Sequence, residues 1–193
     1  MAMESQRNPT SETIEIDLRN PAVAGVIGWL IPGGGHLYQR RYAKGVLFMV
    51  CILGTYFFGL GLADGHVVYA SLTKEDFRWQ YACQLGVGAS ALPALLQNHR
   101  VRRGQEPLFG GAMAPPRGVV ANVESHADYE NDELSNWHLQ YHSYFELGTL
   151  YTMIAGLLNV LAIYDAAAGP VLYAPAGNEK KPNPPPEDKK RKT

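Results

Sequence analysis

"GVLFMVCILGTYFFGLGLA", residues 45–63, carries no Asp, Glu, Lys or Arg. Its apolar side chains occupy the whole helical circumference, whereas a soluble helix needs a polar face on every turn. The stretch is close to the ~20 residues with which an α-helix crosses about 30 Å of hydrocarbon. Three more stretches are also free of these charges: residues 20–39, 79–99 and 147–164. "LGTLYTMIAGLLNVLAIY" (147–164) is nearly as apolar as the first. "WQYACQLGVGASALPALLQNH" (79–99) is diluted by Gly, Ser, Gln and Pro. Residues 20–39 are continuously apolar only from Pro21 to Ile31, which suits a short span or a half-inserted segment. The sequence therefore predicts an all-α integral membrane protein with about four transmembrane helices in two hairpins. A multi-pass protein of a bacterial cytoplasmic membrane is the expected setting. Mean hydropathy of -0.16 conceals this, because it averages greasy runs with polar arms.

The rest of the chain is organised around those runs. Residues 1–19 form a flexible polar arm with Glu4, Glu12, Glu15 and Asp17 and no apolar centre, so they do not read as a secretory signal. Residues 20–63 form the first helical hairpin, and 64–99 a loop and the third transmembrane helix. Residues 100–130, rich in Gly and Pro without periodicity, read as an irregular polar loop. Over 131–169 an interfacial amphipathic helix continues into the fourth span. Asn131 or Asp132 can cap it, and Leu134, Trp137, Tyr141 and Tyr144 recur at helical spacing. Residues 170–193, Pro- and Lys-rich, form a disordered tail. The net charge of -1 argues against a nucleic-acid binder, which would normally show a basic stripe. Cys51 and Cys83 lie in apolar runs without metal or redox spacing and read as small hydrophobes.

Between the first two apolar runs stands "IPGGGHLYQRRYAKGVLF", residues 31–48. A phosphate-binding loop would need GxxxxGK[ST] or GxGxxG between strand and helix. Here Lys44 and Gly45 come in reversed order, no Ser or Thr follows, and no strand precedes. A hairpin turn explains more residues. Pro32 ends the first helix, and Gly33, Gly34 and Gly35 permit the positive φ of a tight reversal. His36 and Tyr38 suit the headgroup level, Arg40, Arg41 and Lys44 meet lipid phosphates, and Gly45 lets the next helix approach. On these residues the stretch resembles the two-transmembrane-helix (TM-two) domain and its bacterial relatives with a PGxGHxY…KG turn. "GGHLYQRRYAKG" matches at Tyr38 and Gly45. It departs at Leu37, where phenylalanine is usual, and at Arg40, where glycine is common. The resemblance covers about Pro21 to Ala63 and implies a membrane hairpin, with no reaction or cofactor.

Helices in lipid associate through small residues, since lipid offers no hydrophobic drive to join them. Ala82, Gly86, Ser90 and Ala94 would form one ridge on the third span, with Pro93 kinking it. Gly148, Thr152 and Gly156 would form another on the fourth, and the first offers Ala24 and Gly28. Asn159, a carboxamide inside an apolar helix, must face a partner and reads as packing glue. A metal site would need His138, His142 and Glu146 stacked four apart on one helix. Interfacial packing beside the aromatic stripe is the preferred reading of those residues, and no catalytic set or cofactor motif stands out. Basic residues flanking the spans place the loops at 40–44 and 100–103 on one side, with both termini on the other. The expected function is a non-enzymatic scaffold or interaction subunit that contacts lipids, protein partners or further copies of itself through small-residue faces. A small transporter or channel component is the alternative, ahead of a metal-dependent membrane enzyme.

Overall fold

The computed structural model describes residues 19–71, 77–118 and 132–169, and among these every regular element is helical. In chain order these are α1 (Pro21–Leu30), α2 (Gly34–Tyr38), α3 (Tyr42–Gly61), α4 (Gln80–Gln84) and a 3-10 stretch (Leu85–Ala91). Then follow α5 (Pro93–Arg102), a 3-10 turn (Phe109–Gly111), α6 (Glu133–Tyr141) and α7 (Ser143–Ala168). The expected polar arm up to residue 18, the end of the irregular loop beyond residue 118, and the tail from residue 170 lie outside the described residues.

Two helices, α3 and α7, are long and apolar enough to cross a membrane. At 1.5 Å per residue, the 20 residues of α3 span about 30 Å. The two run antiparallel in close contact. A side chain added at Gly59 would put its Cβ 2.9 Å from the Gly148 carbonyl, and one at Gly148 would meet the Gly59 carbonyl at 2.5 Å. Only glycine lets the backbones come this near. At the other end Lys44 Nζ lies 2.5 Å from an Asp165 carboxylate oxygen. The outer faces remain bare: Val50 is 66% exposed, Phe57 55% and Leu161 64%. Central helices of a soluble bundle would bury most of such side chains.

The first expected span is a half-depth hairpin. Asn20 caps α1 by accepting from the backbone N–H groups of Ala22 and Val23. The helix stops after ten residues, about 15 Å. Pro32 has no N–H for the Gly28 carbonyl four residues earlier. Gly33, at φ 77, reverses the chain, and α2 returns along α1. Gly34 and Gly35 are helical, so close contact and not positive φ demands them. A Cβ on Gly35 would fall 2.5 Å from the Ala24 carbonyl, and one on Gly34 2.9 Å from that of Ile27. Gly35 also touches Ala166, while Gly28 lies level with Asn159, so α1 enters from the Asp165 end and goes halfway.

The third expected span is broken in the same manner. Gly86 packs on Gly156, but at Gly88 the backbone swings to φ 72, ψ -126 and the helix fails. Pro93 does not kink a helix; it sits in the first turn of α5, where its missing N–H costs nothing. From there α5 returns toward the end where α4 began. Tyr81 donates its hydroxyl to Ala91 O at 2.8 Å. Gln97 donates to Leu108 O and Ala112 O, and Ala112 abuts Gly65 just beyond α3. The continuous small-residue ridge therefore dissolves: Gly86 faces α7, Ala94 is buried in α5, and Ala82 is exposed. The two hairpins enter from opposite ends and meet tip to tip, where Trp29 Nε1 donates to Leu85 O at 3.2 Å.

This path corrects two further expectations. Arg40, Arg41 and Lys44 share an end of the bundle with Asn20 and Ala168, as the bond from Arg19 to Tyr38 O shows. Arg100, Arg102 and Arg103 stand at the opposite end, so the two basic loops do not lie together. The helix expected over 131–169 is also two helices. Asp132 caps α6 by accepting from Ser135 N, and at His142 the backbone turns to φ 49 before α7 starts. The break folds Trp137 inward against His66 and Tyr69, while Tyr144 stays 61% exposed.

Irregular backbone inside a bundle needs hydrogen-bond partners. Buried side chains supply them here. Gln84 Nε2 donates to Val67 O at 3.0 Å and to Thr152 Oγ1 at 2.9 Å. Tyr56 donates to Ser90 O at 3.0 Å. Gln84 and Gln97, two of the polar residues that dilute the third apolar run, thus tie that run to the loops beside it, and Tyr56 of α3 serves the break itself.

Candidate functional site

The turn motif folds onto the end of α7 as a polar clasp. Gly33 and Gly45 face one another: a Cβ at Gly33 would come within 2.2 Å of Gly45 O. Fixed this way, the turn places His36 and Lys44 on Asp165. Their distances to the same carboxylate oxygen are 3.3 Å from His36 Nε2 and 2.5 Å from Lys44 Nζ. Gln39 adds a short hydrogen bond to the Ala166 carbonyl. His36 is fully buried against Phe48, with ring centroids 5.0 Å apart, and so does not sit at a solvated headgroup level. Lys44, half-exposed, pairs with Asp165; Arg40 is exposed, and Tyr38 carries the Arg19 guanidinium over its ring.

Burial lowers the His36 pKa below 6.5, because it strips water from the imidazolium. Asp165 pulls the other way, but Arg41 and Lys44 repel a second positive charge. The folded protein therefore holds His36 neutral at a pH where the unfolded chain already binds a proton. With more protons on the unfolded state, stability rises with pH through this window and falls on acidification below 6.5. We expect the melting temperature in detergent to drop between pH 7.5 and pH 5.5, and His36→Gln to flatten that slope. A melting temperature that rises on acidification contradicts this assignment.

Arg40 occupies a position built for glycine. It follows α2 at φ 62, with Arg40 N donating to Leu37 O and Arg41 N donating to His36 O. This is the paired bonding of a left-handed helix end. A non-glycine residue there costs roughly 1 kcal/mol. Arg40→Gly is expected to raise the stability by about that amount, read as a higher melting temperature.

At the middle of the bundle stands Asn159, fully buried. Its Nδ2 donates to Gly28 O at 3.1 Å and to Gly86 O at 2.9 Å, joining the tips of both half-depth hairpins to α7. The Gly28 carbonyl is the one that Pro32 leaves without a helical donor. The remaining fourth-span residues act around it: Gly148 meets α3, Gly156 meets Cys83 and Gly86, and Thr152 accepts from Gln84.

Residues 23–179 match a family model. The chain belongs to the Family of unknown function (DUF6677). That match spans the turn, both half-depth hairpins and both long helices, so the clasp and Asn159 lie within the family region. The likeness of the turn to the TM-two domain remains a likeness of that short stretch. No curated protein and no solved structure matches the chain.

His138, His142 and Glu146 do not stack as one ridge, because the helix that would align them breaks at His142. His138 instead bonds Leu134 O through Nδ1 at 2.8 Å and lies 4.5 Å from the Phe145 ring. Among the described residues no group of three or more His, Cys, Asp or Glu side chains is arranged to hold a metal. Sequence reasoning passed over Gly59, Gly88, Gln84, Gln97 and Arg78. The glutamines carried a legible signal as amides within an apolar run, but nothing local marks Gly88 as the breakpoint.

Proposed function

We propose that this is a non-enzymatic integral membrane protein, a small scaffold or interaction subunit of a bacterial cytoplasmic membrane. In this reading α3 and α7 cross the bilayer, and the half-depth hairpins pack against them from opposite faces. The observation that carries it is the division of the long helices. Their outer sides hold bare Val, Phe and Leu, while their inner sides hold glycines and hydrogen-bonded polar groups. Lipid is the solvent that suits such an exterior. Lipids are then one partner, and protein partners or a second copy another. Gly54 and Gly61 of α3 have nothing within 4 Å of an added Cβ, so a neighbouring helix has room to approach there.

Lysis without detergent, an alkaline wash and high-speed centrifugation test the reading. The full-length chain is expected in the pellet and in detergent extracts of it. A monodisperse folded particle in the supernatant contradicts it, and turnover of a substrate by the pure protein would replace the non-enzymatic part. The transporter or channel reading draws on one observation, the meeting of two interrupted segments at Asn159 halfway along α7. Broken helices at mid-depth are where transporters place their sites. Solute or ion flux into liposomes that is equal with and without the protein removes this second reading.

A further inference from the structure

At the end of the bundle where α7 begins, a cleft of about 470 Å³ opens between α6, the first turns of α7 and the chain around Arg78. Small-molecule sites occupy ~300–1,000 Å³, so the cleft is of ligand size. Arg78 lines it, only 8% exposed. Its Nη2 donates to Val67 O at 2.8 Å and Thr149 Oγ1 at 3.1 Å, and its Cζ lies 4.0 Å from the centre of the Tyr69 ring. Its Nε is buried without any partner. Among the described residues no carboxylate lies within ion-pair distance of this guanidinium; the ion pairs engage His36, Lys44 and Arg117. A nearly buried cation with no carboxylate against it among the described residues calls for an oxyanion.

The rest of the lining states what else the ligand carries. Phe77 and Trp79, 64% and 56% exposed, stand beside the cleft, and Leu150 and Met153 continue it along the flank of α7. Glu146, which is exposed, supplies a negative charge within the same lining. An inorganic anion would leave the aromatic and aliphatic walls wet. A purely acidic amphiphile would meet the Glu146 carboxylate. An ammonium next to an oxyanion satisfies both charges, and Trp79 and Phe77 offer it ring faces.

We propose that this cleft binds a zwitterionic amphiphile, with its oxyanion on Arg78, its ammonium toward Glu146 and its acyl chain along Leu150 and Met153. The assignment rests on the membrane reading above, which brings such molecules to α7. The test is native mass spectrometry of the full-length protein from detergent, titrated with a phosphoethanolamine-headed lipid, a phosphoglycerol-headed lipid and soluble glycerophosphoethanolamine. The wild type should retain the ethanolamine lipid about fivefold better than the glycerol lipid, the scale of one exposed charge contact. Glu146→Gln, at an exposed position, should erase that preference and keep the lipid bound. Arg78→Gln should weaken both lipids by about tenfold or more, as loss of a charged hydrogen bond does. The soluble headgroup should not be retained.

Equal retention of the two lipids by the wild type, or a preference that survives Glu146→Gln, overturns the proposal even if Arg78→Gln fails to fold. Binding of the soluble headgroup as tightly as the lipid overturns the amphiphile and leaves a free-anion site. A chain that pellets with membranes yet retains neither lipid sinks this inference alone, whereas a water-soluble chain sinks the membrane reading with it.

Discussion

Gly88→Ala is expected to yield no folded protein. A Cβ at this position would stand 1.6 Å from the Trp29 carbonyl oxygen and 2.7 Å from its carbon. Neither atom belongs to a flexible side chain, so the tips of both hairpins would have to separate. The backbone at φ 72, ψ -126 adds strain for any L side chain, on the order of 1–3 kcal/mol. Together the clash and the strain place the loss beyond the ~4–5 kcal/mol that marks exceptional substitutions. Size-exclusion chromatography and thermal melting in detergent read the result. Gly54→Ala is the matched control, since an added methyl there meets nothing within 4 Å inside α3. It should stabilise the helix by about 0.8–1 kcal/mol. A Gly88→Ala protein that melts like the wild type would mean that the hairpins do not meet at this point.

Asn159→Leu comes next in size. Leucine fits an apolar helix better than asparagine does, so a purely lipidic or helical-propensity argument anticipates a gain. The hydrogen bonds anticipate the reverse, because Asn159 donates to Gly28 O and Gly86 O on two separate segments. With Pro32 four residues on, Gly28 O has no helical N–H to fall back on. Each buried carbonyl left unpaired costs about 1–3 kcal/mol, so for the two a loss of roughly 2–6 kcal/mol is expected. Unfolding followed in denaturant with mixed micelles measures it. A stabilised Asn159→Leu would assign the carboxamide to something other than holding the hairpins.

The long helices were legible because their signal is local. Residues 45–63 are apolar all round and 147–164 nearly as apolar, and a helix hides that many backbone groups in a greasy stretch. Asn159 was legible for the same reason, as one carboxamide that had to find a partner. The first and third runs misled because apolar length does not tell whether a chain passes through or turns back. Pro32 and Gly33 were visible as punctuation of the first run, but the break at Gly88 depends on contacts of Gly88 with Trp29 and of Gly86 with Gly156, which are distant in sequence. His36 reads as an interfacial residue by type, but the fold buries it beside Phe48 and Asp165. Arg78 falls between two apolar segments like any boundary charge. Its burial follows from Val67 O and Thr149, eleven and seventy-one residues away. The helix break at His142 has no proline or glycine to announce it; packing of Trp137 on His66 and Tyr69 selects it.

The path of the chain has one direct test. In a protein with Cys51 and Cys83 replaced, single cysteines at Asn20, Arg40 and Gly104 are exposed to a membrane-impermeant thiol reagent from each side of sealed vesicles. Two crossing helices with half-depth hairpins put Asn20 and Arg40 on one face and Gly104 on the other. Four complete spans would instead label Arg40 and Gly104 from the same face and Asn20 from the opposite one, and that pattern would contradict the fold described here.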